Sequence, residues 1–251
     1  MPRHRIQLIN PNTSQAMTET MAITARKIAG SRLDIDAVCP DEGVPSIEGH
    51  FDEAVATLGI LQQIRAGEDR GVQGHIIACF GDPGLLAARE VATGPVLGIA
   101  EAAMHMASLV ATRFSIVTTL PRTVIIARHL LHRYGFHDHC AAVHAIDLPV
   151  LSLEDGSGTA QQKVREYCLR AKEQDNVGAI ILGCGGMADL ATQLSDELQM
   201  PIIDGVSAAV TLLESLLNLG ITTSKWGDLD FPRNKGISGP YAACLPSSLT
   251  P

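Results

Sequence analysis

Short apolar, β-branched runs alternate along the chain with longer stretches whose apolar residues recur every three or four positions. The short runs predict strands over 5–9, 33–38, 75–79, 96–99, 114–118, 141–146, 178–182 and 202–203. The longer stretches predict helices over 15–28, 51–65, 83–91, 102–111, 123–134, 160–173, 187–198 and 207–219, with Gly220 as the final stop. Several of the strand runs, such as Ile76-Ile77-Ala78 and Ala179-Ile180-Ile181-Leu182, are apolar at consecutive positions rather than at alternate ones. That is the pattern of strands covered on both faces. With helices of ~10–15 residues between them, it predicts βαβ units and parallel sheets.

The order repeats. In the first half, His75–Cys79 runs into a Gly-rich turn and a helix, then Gly94-Pro95-Val96-Leu97-Gly98. In the second half, Ala179–Cys184 runs into Gly185-Gly186, a helix, then Met200-Pro201-Ile202-Ile203. Likewise Leu8-Ile9-Asn10-Pro11-Asn12-Thr13 matches Thr118-Thr119-Leu120-Pro121-Arg122-Thr123 as strand, Pro-containing turn and helix start. We therefore expect an α/β chain of two pseudo-symmetric lobes, each a mainly parallel sheet flanked by helices, with the active site in the cleft between them. Lobe one takes 1–110 plus about 205–225, and lobe two takes 111–204. The Gly-, Pro- and Ser-rich tail over 226–251 is read as a loop or an interface arm.

Composition narrows the class. Apolar residues make up 46% of the 251 and charged residues 18%, enough for a sizeable core and against disorder. Aromatics are only 4%, so the core is aliphatic. The net charge of −8 and the lack of a basic patch speak against nucleic acid or an anionic membrane as partner. No run approaches the ~18 apolar residues of a membrane span, and the first residues show no secretory signal. Six cysteines could suggest disulfides, but they are sparse and include no C-x-x-C pair. The expectation is a cytoplasmic protein with reduced thiols.

Two of the six stand out. Cys79 and Cys184 both fall at the C-terminal end of a predicted strand, where parallel α/β sheets bind ligands. Each precedes a predicted helix, so its thiol is expected near a helix N-terminus and with a lowered pKa. Two thiols facing each other across a cleft suit one reaction. A thiolate removes a proton from carbon on one face, a thiol returns one on the other, and the configuration inverts. Cys39, Cys140, Cys168 and Cys244 need no role beyond packing. His129, His132, His137, His139, Cys140 and His144 resemble a metal cluster but match no zinc spacing, so no metal site is expected. The Gly-rich turns lack a phosphate-loop pattern. Asp82 before Pro83 reads as the cap of the helix that follows it, Asp204 as the cap of the last helix, and Glu48 as a solvated loop acid.

Four segments also carry a family resemblance. They are Ile9-Asn10-Pro11-Asn12-Thr13-Ser14, Ser46-Ile47-Glu48-Gly49, Ala78-Cys79-Phe80-Gly81-Asp82-Pro83-Gly84 and Leu182-Gly183-Cys184-Gly185-Gly186-Met187. Together they resemble the hydantoin racemase family of the aspartate/glutamate racemase superfamily. The Cys-Phe-Gly-Asp-Pro-Gly form is most similar to the allantoin-racemising branch. The resemblance implies a racemase of a 5-substituted hydantoin, allantoin above all, that needs no cofactor and works as a homo-oligomer. Cys79 and Cys184 would be the acid/base pair. Asn12, Thr118 and Thr119 would line the cleft and Ile47 would close over it. Phe80, Gly81, Gly183, Gly185 and Gly186 would cradle a neutral ring with backbone amides and apolar contact. Amino-acid racemases of the superfamily instead place small polar residues after each cysteine, where this chain has Phe80 and Gly185. Racemisation of an acidic amino acid and a non-catalytic two-lobe sensor are the alternatives.

Overall fold

The structure is a computed structural model that describes residues 3–233 and 235–244. Among the described residues, eight strands and eight α-helices alternate. Sheet one contains β1 (His4–Ile9), β2 (Leu33–Val38), β3 (Gly74–Ile77) and β4 (Val96–Gly98), all parallel, in the order β2-β1-β3-β4. Sheet two contains β5 (Phe114–Thr118), β6 (Cys140–Ala145), β7 (Ala179–Leu182) and β8 (Ile202–Asp204), also parallel, in the order β6-β5-β7-β8. The two orders are the same pattern, so the second sheet repeats the first.

Each sheet is covered on both faces, as the unbroken apolar strand runs require. Ile6, Leu8 and Ile76 of sheet one pack against α1 (Gln15–Ala29) and α8 (Gly205–Asn218), through Met17, Met21, Val206 and Leu213. The alternate residues Ile9 and Ile77 pack against α2 (His50–Asp69) and α3 (Leu85–Val91). In sheet two, Val117, Ile180 and Leu182 face α6 (Thr159–Gln174) and α7 (Ala191–Leu198). Phe114, Ile116 and Ile181 face α4 (Ile99–Val110) and α5 (Pro121–Tyr134).

The last helix of each half crosses over. α4 leaves sheet one and lays Ala103, Met104 and Ala107 into the core of sheet two. α8 leaves sheet two and lays Val206, Val210 and Leu213 on sheet one. The two helices pack against each other where they cross. Small residues allow this. A Cβ on Gly205 would lie 2.4 Å from the Ile99 carbonyl oxygen.

Several expected elements differ in their bounds. The helix predicted over 187–198 is a 3-10 turn, Gly185–Leu190, followed by the shorter α7. The strand expected over 96–99 ends at Gly98, and α4 starts immediately at Ile99. Its cap is not local. Both oxygens of the Asp82 carboxylate reach across to it, accepting from the Ala100 N–H at 3.0 Å and the Glu101 N–H at 2.9 Å. Asp82 therefore does not cap the helix after it. α3 begins only at Leu85, with Gly84 as its N-cap, and Asp82 itself sits at φ 44°. The expected role of Asp204 is met: it caps α8, its Oδ1 accepting from the Ser207 N–H at 2.7 Å.

Beyond α8 the chain returns along lobe one. The Lys225 ammonium donates to the carbonyls of Arg89 and Glu90 at the end of α3, at 2.6 and 2.9 Å. A 3-10 turn, Gly239–Cys244, packs on α2, where Arg65 donates to the Ala242 carbonyl. Residues 234 and 245–251 of the expected tail lie outside the described residues.

Candidate active site

The C-terminal ends of both sheets open into one cleft. Parallel strands bring this about: in a βαβ unit every strand points its carboxyl end the same way, so the turns after β1, β3, β5 and β7 converge. Cys79 stands two positions past the end of β3, and Cys184 two positions past the end of β7. Both line the cleft. So do Asn12, Ile47, Phe80, Gly81, Thr118, Thr119, Gly183 and Gly185. Gly186 is not on the wall; its backbone N–H acts on Cys184 instead, favouring the thiolate. The Gly81 N–H acts on Cys79 in the same way, so the two turns match in the residue that faces each sulfur.

The turns are tightly built. Asn10 Nδ2 donates to Asn12 Oδ1 at 2.7 Å and to Thr18 Oγ1 at 2.9 Å, and the Ser14 N–H donates to the same Asn12 oxygen at 2.8 Å. This fixes the amide flip and leaves Asn12 Nδ2 facing the soft Met17 sulfur at 3.5 Å on the cleft wall. Across the cleft, Thr118 Oγ1 bonds Thr123 Oγ1 at 2.9 Å and donates to the Gly183 carbonyl. Gly185 is the close approach between the lobes. A Cβ there would lie 2.6 Å from the Met21 sulfur and 2.9 Å from the Ala78 carbonyl oxygen, next to Cys79.

Glu48 is not a solvated acid. Its Oε1 accepts from the Val150 N–H at 2.9 Å and from the Ser46 hydroxyl at 3.3 Å. The Ser14 hydroxyl donates to Glu154 Oε2 at 3.1 Å. The Val150 bond holds the loop of Ile47 to the 3-10 turn Val150–Glu154 at the cleft, and the Ser14 bond joins the start of α1 to the same turn. The histidine-rich stretch disperses: His144 pairs with Asp175 at 2.6 Å, His139 bonds the Thr112 carbonyl, and His132 stacks on His137. Among the described residues, no group of three or more His, Cys, Asp or Glu side chains is placed to hold a metal ion. Among the described residues, no helix is long and apolar enough to cross a membrane.

The thiols are not acidified in the way their helix context suggests. Burial pushes the Cys184 thiol up to about 11, against the opposing pull of the Gly186 N–H. Burial pushes Cys79 higher still, and the charge of Cys184 adds to the effect. The expected lowering fails because desolvation of a thiolate inside the cleft outweighs one backbone dipole. For Cys79 no regular helix starts at the sulfur, since α3 begins only at Leu85. A pH dependence follows, with its sign. A raised pKa keeps the thiol form at neutral pH, so the thiolate fraction of the free enzyme grows roughly tenfold per pH unit below that pKa. After subtraction of the uncatalysed rate, kcat/KM for proton abstraction is expected to climb steeply from pH 7 to 9. A flat profile over that range would contradict it.

The cleft also holds residues that the sequence did not single out: Asn10, Met17, Glu53, Thr123, Ile126 and Val150. Asn10 sits inside a segment whose pattern was noted, so its signal was available. Glu53 gave none, because an acid in the first turn of a helix is ordinary.

Comparison with known proteins agrees with this geometry. The model of the family Asp/Glu/Hydantoin racemase matches residues 6–213. A hydantoin racemase of Rhizobium meliloti is 45% identical over 93% of this chain and 97% of that protein. The structure of allantoin racemase from Klebsiella pneumoniae superposes with a TM-score of 0.96 at 70% identity, covering 97% of this chain and 99% of the other. Allantoin racemase from Pseudomonas fluorescens gives a TM-score of 0.89 at 36% identity over 94% and 100%. With a match that takes in both sheets and both cysteine turns, this chain belongs to the Asp/Glu/hydantoin racemase family.

Proposed function

We propose that the protein racemises allantoin, using Cys79 and Cys184 as opposed acid and base. One observation carries the reading: two thiols at equivalent positions of two repeated halves line the same cleft. The carbon at position 5 of a hydantoin lies next to a ring carbonyl, so loss of its proton gives an enolate. One cysteine, as thiolate, takes that proton from one face. The electron pair moves into the carbonyl, and the other cysteine, as thiol, delivers a proton to the opposite face. The enzyme ends with the two protonation states exchanged. Mutual repulsion supports this division, since the charge of Cys184 opposes ionisation of Cys79. One sulfur as thiolate and the other as thiol is what a two-base inversion needs.

The cleft wall suits a flat neutral ring. Phe80, Ile47, Met17 and Val150 offer apolar contact, and Asn12 Nδ2 offers a donor for a ring carbonyl. Among the described residues, no cationic side chain lines it to grip a free carboxylate. The small molecule is thus the partner in this reading, and the working unit is a homo-oligomer.

The test is a polarimetric trace of each enantiomer of allantoin with the purified protein, alongside 5-methylhydantoin, aspartate and glutamate. Decay of allantoin rotation to zero well above the spontaneous rate is expected. Turnover of aspartate or glutamate and not of the hydantoins would overturn the reading.

A further inference from the structure

One cleft group has no part in the proton transfer above. Glu53, in the first turn of α2, lines the cleft beside the Cys79 turn. Its Oε2 is held by His50 Nδ1 at 3.2 Å. Its Oε1 is buried, and among the described residues no protein donor reaches it. A buried carboxylate oxygen without a donor is unfavourable, and more so when charged. The packing holds it there nonetheless. A Cβ on residue 81 would lie 2.6 Å from this oxygen, so glycine at that position makes room for the carboxylate against the turn. A base is not what the site lacks there, since the neighbouring thiol already fills that role and a negative charge beside it opposes its ionisation.

The oxygen is therefore placed to accept hydrogen bonds from whatever enters the cleft. Resting on the reading of the site as a hydantoin racemase, we propose that Glu53 selects the 5-substituent by accepting the paired N–H groups of a ureido chain. A urea presents two N–H donors on one edge, at the spacing of the two oxygens of a carboxylate, and such forked charge-assisted bonds are strong and geometrically selective. A 5-alkyl chain has no donor and would bury the carboxylate oxygen unsatisfied. Sites built to hydrogen-bond a substrate discriminate strongly against analogues lacking the group, for that reason. Glu53 is thus a specificity-determining residue, and the class of substrate it takes is the ureido-substituted hydantoin.

The experiment measures kcat/KM for allantoin and for 5-methylhydantoin with wild type and Glu53→Gln. The isosteric amide keeps the volume but turns one acceptor into a donor. The ratio of allantoin to 5-methylhydantoin is expected to fall roughly 10- to 100-fold in the variant. An unchanged ratio, including an equal loss on both substrates, would overturn the proposal. A second measurement needs no variant. Wild type should prefer allantoin over 5-acetamidohydantoin, which has a single N–H in the chain, by at least roughly tenfold. Equal use of the two would overturn it as well. If wild type turns over no hydantoin at all, the racemase reading itself fails, and this inference with it.

Discussion

Replacing either cysteine by serine is expected to abolish racemisation, with a loss of roughly 10³-fold or more in kcat, while each variant keeps half of the chemistry. The magnitude is that of general acid–base catalysis by a positioned group. A hydroxyl is a far weaker acid than a thiol, so the serine neither forms the anion nor replaces its function. The remaining cysteine still touches one face of the ring. Cys79→Ser should exchange the ring C–H for deuterium in D2O with one enantiomer only, and Cys184→Ser with the other. The double variant should do neither. Proton NMR of each enantiomer in D2O reads exchange, and polarimetry reads inversion. Full racemisation and exchange in both single variants would sink the two-thiol mechanism. The opposed preferences follow from the pseudo-symmetry, because the two sulfurs stand at equivalent strand ends and line the same cleft.

The second large effect concerns stability. Asp82 is 1% exposed and binds three donors: the N–H groups of Ala100 and Glu101 and the Tyr134 hydroxyl, the last at 2.8 Å. Burial pushes the Tyr134 phenol up, which keeps it protonated as a donor. One carboxylate thereby ties the Cys79 turn to the start of α4 and to the end of α5, across both lobes. Asp82→Ala leaves three polar groups without an acceptor and puts alanine at φ 44°. The expected cost is about 3 kcal/mol or more, read as a lower urea midpoint at unchanged slope. Asp82→Asn should cost less, and it isolates a pH effect.

Burial pushes the Asp82 carboxyl up to about 7, from 3.8, against the three donors that favour the anion. The folded state therefore holds a proton there that the unfolded state releases, between about pH 4 and pH 7. Stability from this site is full below the unfolded value and is lost as pH rises through the folded one. Wild type minus Asp82→Asn should fall by a few kcal/mol from pH 4 to pH 7 and level off above it. A difference independent of pH would show that Asp82 is ionised throughout.

How much of this was legible differs from residue to residue. The strands were plain because both faces of a parallel strand are buried, so Ile76-Ile77 and Ile180-Ile181 are apolar at adjacent positions. Cys79 and Cys184 were legible because their distance from a strand end is a local property. Asp82 was misread because Pro83 offers a plausible local partner, whereas the helix it caps starts at Ile99. Glu48 was misread because its partner, the Val150 N–H, lies in the other lobe. The thiol shift was misread in sign for a related reason: a nearby helix start is visible in the chain, but the burial that outweighs it is not.

Periodicity, turn chemistry and caps act over a few residues, so the chain alone determined the alternation of strands and helices, the repeat of the two halves and the strand-end position of the two cysteines. Burial, charge and hydrogen bonds act across space between residues far apart in the chain. Only the tertiary structure could therefore decide which helix Asp82 caps, that α4 and α8 cross between the lobes, that desolvation raises both thiols, and that Glu53 brings an unpartnered carboxylate oxygen to the side of Cys79.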